Sequence, residues 1–154
     1  MHHTSMTAAV TLLAFVLSAE AREDNSIDKS LENISGQYAE CAAYFRLVYH
    51  ALVASNDAAT AGAYRKQEDT AMFYSLLLAN EGRDKDTAVT VTNARIEMYM
   101  KVMKKEANNR NENIAILINK YSDGCEKLMT NPPAPVHEVM GRRLNEEAQK
   151  EKAH

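Results

Sequence analysis

Between Ile27 and Val53 the apolar residues Ile27, Leu31, Ile34, Tyr38, Cys41, Phe45, Val48 and Leu52 recur at alternating steps of four and three. A helix gathers such positions into one stripe, whereas a strand would divide them between two faces. A stripe this long predicts an extended helix with one buried side. Glycine and proline, at 5 and 3 copies, are too scarce to interrupt it often. Alanine, leucine, methionine, lysine and glutamate are plentiful, and all favour helix. The 154 residues suffice for one domain with a real core.

Charge excludes one class of partner. The net charge is −3, and acids and bases are interspersed along the chain. No basic stripe is available to line up on phosphates, so nucleic acid is not an expected partner.

The first residues read as an address label. Residues 8–19, AAVTLLAFVLSA, are uncharged and largely apolar, and the chain turns polar at Arg22. Ala19-Glu20-Ala21 fits the small-x-small pattern of a signal-peptidase site, which predicts a leader over 1–21 and cleavage before Arg22. The run is shorter than the roughly 20 residues a bilayer span needs, so no stable membrane anchor is expected. The leading MHHTSM contains no Lys or Arg, which departs from the usual basic start. Loss of the leader removes one acid, Glu20, and no base, so the mature net charge is −2. The expected location is the periplasm or the exterior.

Export sets how the two cysteines read. In an oxidising compartment Cys41 and Cys125 are expected to form one structural disulfide. Neither lies in a CxxC, CxxCH or zinc-ligand spacing.

Four helices are expected in the mature chain. Ser26 is placed to cap the first, which runs to about Ala54. Ser55-Asn56-Asp57 reads as a turn, and Asp57 caps a second helix from Ala58 to about Asn80. There Ala58, Ala61, Gly62 and Ala71 permit close approach of a neighbour, and Gly82 is expected to end the helix in a left-handed conformation. Asp84 or Asp86 starts the third, with Val89, Thr92, Ile96, Tyr99, Met103 and Ala107 on its stripe. Asn108 to Asn113, NNRNEN, disfavours helix without enforcing a turn. The fourth holds Ile114, Leu117, Ile118, Tyr121, Cys125 and Leu128, and Asn131-Pro132-Pro133 stops it.

The cysteines arbitrate the topology. A single helix over 86–129, parallel to the first, would leave Cys125 ~37 Å from the level of Cys41. A turn near residue 109 brings the two within ~4.5 Å along the axis. Disulfide-bonded Cα atoms must lie within ~7 Å, so an up-down-up-down four-helix bundle over 22–130 is expected. Residues 131–154 form a Pro-containing linker and a tail: NPPAPV extended, then a short amphipathic helix on Val136, Val139, Met140 and Leu144, either docked on the bundle or folding only with a partner, with frayed last residues. Truncation after Pro135 is expected to leave the bundle folded.

Little in the chain speaks for chemistry. His50 and His137 read as surface histidines, because no Glu-x-x-His pair accompanies them. Met72, Met98, Met100 and Met103 read as pliable core fill. A haem held between one of them and His50 or His137 is the cofactor alternative. Tyr38, Tyr99 and Tyr121 fall on the helical stripes and read as packing residues. Glu32 and Glu40 read as solvated surface charge, and Asn33-Ile34-Ser35 is a glycosylation sequon placed within a helix. No catalytic residue, metal site or cofactor site is assigned. The surplus apolar width of residues 72–79 and 98–103 needs a cover, from the tail, a second copy or another protein. The functional expectation is a non-catalytic exported module that binds protein or itself. The alternative is a bundle carrying haem or a small apolar ligand.

Overall fold

The computed structural model describes residues 13–152, with side chains from Lys29 onward. It is all-helical among the described residues: α1 (Leu13–Ala54), α2 (Ala58–Ala79), α3 (Lys85–Glu106), a 3-10 turn (Asn111–Asn113), α4 (Ile114–Thr130) and α5 (Ala134–Lys152). The first 12 residues of the expected leader lie outside the described residues. The described residues fall into two compact units that part between Ser30 and Leu31, and the core described below belongs to the second.

Several boundaries differ from expectation. Ser26 lies inside α1 rather than at its start. The preceding residues Ala19 to Glu23 are good helix formers, and the first glycine comes only at Gly36. Gly82 does not adopt a positive φ. The left-handed positions go instead to Asn56, Asn108 and Asn109, with φ of 61°, 54° and 56°. Asparagine tolerates this region better than other non-glycine residues. The pair at 108 and 109 therefore supplies the break between α3 and α4 without glycine or proline. Asp57 and Asp84 cap α2 and α3 by accepting from the backbone N–H of Thr60 and Thr87, at 3.1 and 3.0 Å.

The stripe on α1 is buried at Ile34, Tyr38, Cys41, Phe45 and Val48. Burial also extends around the helix. Every residue from Cys41 to Phe45 is buried, and Ala39, Ala42 and Ala43 are fully enclosed. Over 41–45 the helix is buried on all sides and sits inside a shell of other elements. The small alanines let that shell close in.

Contact pairs give directions. Ser35 meets Ser75, Tyr38 meets Tyr74 and Tyr44 meets Tyr64, so α2 runs against α1. Tyr38 bonds the carbonyl of Leu128, Cys41 bonds Cys125 and Tyr44 lies against Tyr121, so α4 also runs against α1. On α3 the buried residues are Ala88, Thr92, Ile96 and Met103. Met98 and Val102, read as widening its stripe, are 50% and 47% exposed. On α2, Ala61 and Ala71 are buried as expected of small contact residues, while Ala58 and Gly62 are exposed.

The tail departs most from expectation. Among the described residues of the tail only Asn131, Pro132 and Pro133 stay outside a helix, and α5 then continues to Lys152. Pro135 falls in its first turn, where a missing N–H leaves no bond broken. Val136 and Val139 are 0% and 3% exposed and belong to the main core cluster. The segment is a fifth packed helix, the docked form of the two expected, and longer than the short helix anticipated.

Candidate functional site

Cys41 and Cys125 are joined by a disulfide with Cα atoms 5.4 Å apart, closing 84 residues of chain. The bridge lines a groove of about 470 Å³ together with Gln37, Glu40, Lys120, Lys127 and Asn131. With 5% and 4% exposure, the two cysteines offer little surface to an attacking thiol. Burial raises the pKa of the Glu40 carboxyl, Lys120 opposes the shift and Glu106 adds to it. Lys120 instead bonds Glu106 at 2.7 Å, and Tyr121 donates to the same carboxylate at 3.0 Å. These hydrogen bonds hold Glu106 below the usual carboxylate range and raise Lys120. The cluster ties α3 to α4 and uses its charges internally.

Glu32 is not free surface charge. Arg83 grips both of its oxygens, at 2.7 and 2.9 Å, and Arg95 bonds it as well. Arg95 also reaches the Ser35 hydroxyl at 3.3 Å, and Ser35 and Ser75 bond each other's backbone carbonyls at 2.9 Å. This polar seam joins α1, α2 and α3. Asn33 is exposed, but the sequon serine, Ser35, is fully buried in the seam.

Glu68 was missed in the sequence. Its side chain is 1% exposed and accepts from Arg46 at 2.6 Å and Arg65 at 3.3 Å. A signal was present. Ala61, Tyr64, Glu68, Ala71, Ser75 and Leu78 follow the three-four rhythm of the buried face of α2, so an acid stands in phase with that face.

Of the other candidates, His50 and His137 are exposed, Met103 is buried, Met72 and Met100 are partly buried and Met98 is exposed. Tyr38 is fully enclosed and donates to the Leu128 carbonyl at 3.2 Å. Burial, with a smaller effect of Tyr74, pushes its pKa up to about 12. Tyr99 and Tyr121 are partly buried, and burial raises both phenols. Among the described residues no group of three or more His, Cys, Asp or Glu is placed to hold a metal ion. No described helix is long and apolar enough to cross a membrane.

The open apolar surface lies between α2 and α5. Phe73, Leu76 and Leu77 of α2 and Met140 and Leu144 of α5 line a groove of about 530 Å³. Asn80, Lys85, Arg143 and Glu147 complete its lining. Glu81, at the end of α2, fixes α5 by pairing with Arg142 and, at 3.1 Å, with Arg143. The tail thus covers part of the apolar width of α2 and leaves Phe73 53% exposed, while its own Leu144 is 62% exposed. Sequence periodicity showed both stripes but not their partial overlap.

Compared with family models, with curated proteins and with solved structures, the chain gives no match to any of them.

Proposed function

We propose that this chain is an exported, non-catalytic protein-interaction module. In this reading the leader over 1–21 is removed, and the rest works in the periplasm or outside the cell. Helices α1 to α4 form an up-down-up-down core, and α5 is clasped over it. The Cys41–Cys125 bridge favours an oxidising compartment, because such bridges persist there and are rare in reducing ones. The observation that carries the binding role is the open α2–α5 groove, with Phe73 and Leu144 both more than half exposed beside it. Exposed apolar surface of this kind marks interaction sites in soluble proteins.

Native mass spectrometry of non-reduced protein from a secreting host tests the proposal in one spectrum. The expected species begins at Arg22, lacks two hydrogens for the bridge and forms protein–protein complexes without small-molecule mass. A monomer with a bound small molecule would replace this reading with the carrier. A full-length, reduced species would remove the export argument.

A further inference from the structure

We propose that the α2–α5 groove receives a second copy of this chain, in a two-fold arrangement that seats Leu144 of each copy in the groove of the other. The inference rests on the reading of this groove as a protein-binding surface and names its occupant.

Three observations point to self-pairing. The first is shape. Leu144 is 62% exposed, and it stands on the wall of an apolar groove formed with Phe73 and Leu77. A knob and a hole on one face are what an isologous interface requires, since each copy must offer both. The second is charge. Lys85 and Glu147 line the same groove, and neither is within ion-pair distance of an opposite charge among the described residues. A two-fold axis through the groove pairs Lys85 of one copy with Glu147 of the second copy, and does so twice. An unrelated partner would have to supply this acid and base independently. The third is net charge. At −3 for the full chain and −2 without the leader, two copies repel each other only weakly, so charge does not oppose pairing.

The anchor and the rim then have separate parts. Leu144 and Phe73 supply the apolar area that holds the complex, while Lys85 and Glu147 set its register. The clasp of Arg142 and Arg143 on Glu81 keeps α5 in place to present Leu144.

Sedimentation velocity of the full oxidised chain, from low micromolar to millimolar, tests the proposal. The expected result is a monomer–dimer equilibrium that Leu144→Asp weakens by at least about tenfold. Lys85→Glu and Glu147→Lys should each weaken it by about threefold, and the double exchange should restore it. All three residues are exposed, so unchanged far-UV circular dichroism is expected of each variant. Should Leu144→Asp misfold, the charge exchanges still decide. A monomer at every concentration overturns self-pairing but leaves the interaction reading open to another protein. A dimer indifferent to Leu144 places the contact elsewhere. A double exchange no better than the single ones overturns the two-fold register.

Discussion

Glu68 places a carboxylate among apolar side chains, and its stability depends on Arg46 and Arg65 reaching it there. Glu68→Gln keeps the volume but leaves Arg46 without its counter-charge and Arg65 with Asp69 alone. Breaking a buried pair costs several kcal/mol, and partial exposure of Arg46 lets water recover some of it. The expected loss is about 2 kcal/mol, read from the urea midpoint of the oxidised protein; a loss below that of a surface substitution would remove Glu68 from the core network. Glu40 behaves in the opposite sense. Burial raises its pKa from an ordinary 4.5, so the folded state prefers the neutral acid. Its favourable contribution is complete below the ordinary value and disappears as pH rises through the folded pKa. At neutral pH the ionised group is a burden. Glu40→Gln should therefore stabilise the protein at pH 7 by about 0.5 kcal/mol, with the gain vanishing below 4.5. Paired urea titrations at the two pH values check the sign, and a variant less stable at pH 7 would show that the Lys120 attraction dominates burial.

At the scale of elements, two ties hold α4 and α5 to the rest. The bridge between α1 and α4 closes 84 residues, for which chain entropy predicts about 4.5 kcal/mol as an upper figure. Replacing both cysteines by alanine should cost about 2–4 kcal/mol in urea unfolding. α5 brings Val136 and Val139 into the core, each worth about 1.5 kcal/mol or more when fully buried. Truncation after Pro133 should therefore cost at least about 3 kcal/mol and expose core surface to a hydrophobic dye, contrary to the expectation that the bundle stands without its tail. The stripes of α1, α3 and α4 were legible because helical periodicity marks which face is buried. What buries each face was not. The all-round enclosure of α1 at 41–45, the docking of α5 and the pairing of Glu32 with Arg83 and Arg95 arise from contacts distant in sequence. The left-handed turn at Asn108 and Asn109 was only half legible, since asparagine permits that conformation without demanding it. The groove was foreshadowed as surplus apolar width, but its walls come from two helices whose overlap no single stripe encodes.

For the molecule as a whole, the arrangement of these ties bears on whether it unfolds in one step. Core residues come from α1, α2, α3, α4 and α5 together, so no single helix can leave without opening the cluster. The seven tyrosines offer a way to ask. They lie at 38, 44 and 49 on α1, 64 and 74 on α2, 99 on α3 and 121 on α4, with none on α5. Near-UV tyrosine signals thus report packing within α1 to α4, whereas far-UV circular dichroism also counts the 19 residues of α5. A clasp held only by Glu81 and its arginines would be screened and weak, and α5 would melt first, lowering the far-UV signal while the tyrosines stay ordered. A clasp that also carries Val136 and Val139 into the core melts with it. The expected outcome is coincident far-UV and near-UV transitions in heat and in urea, as for a two-state domain. An early far-UV phase amounting to about one helix would show instead that α5 opens as a separate unit. The groove it shares with α2 would then be a surface the protein can make and unmake, and its binding would carry the added cost of closing α5.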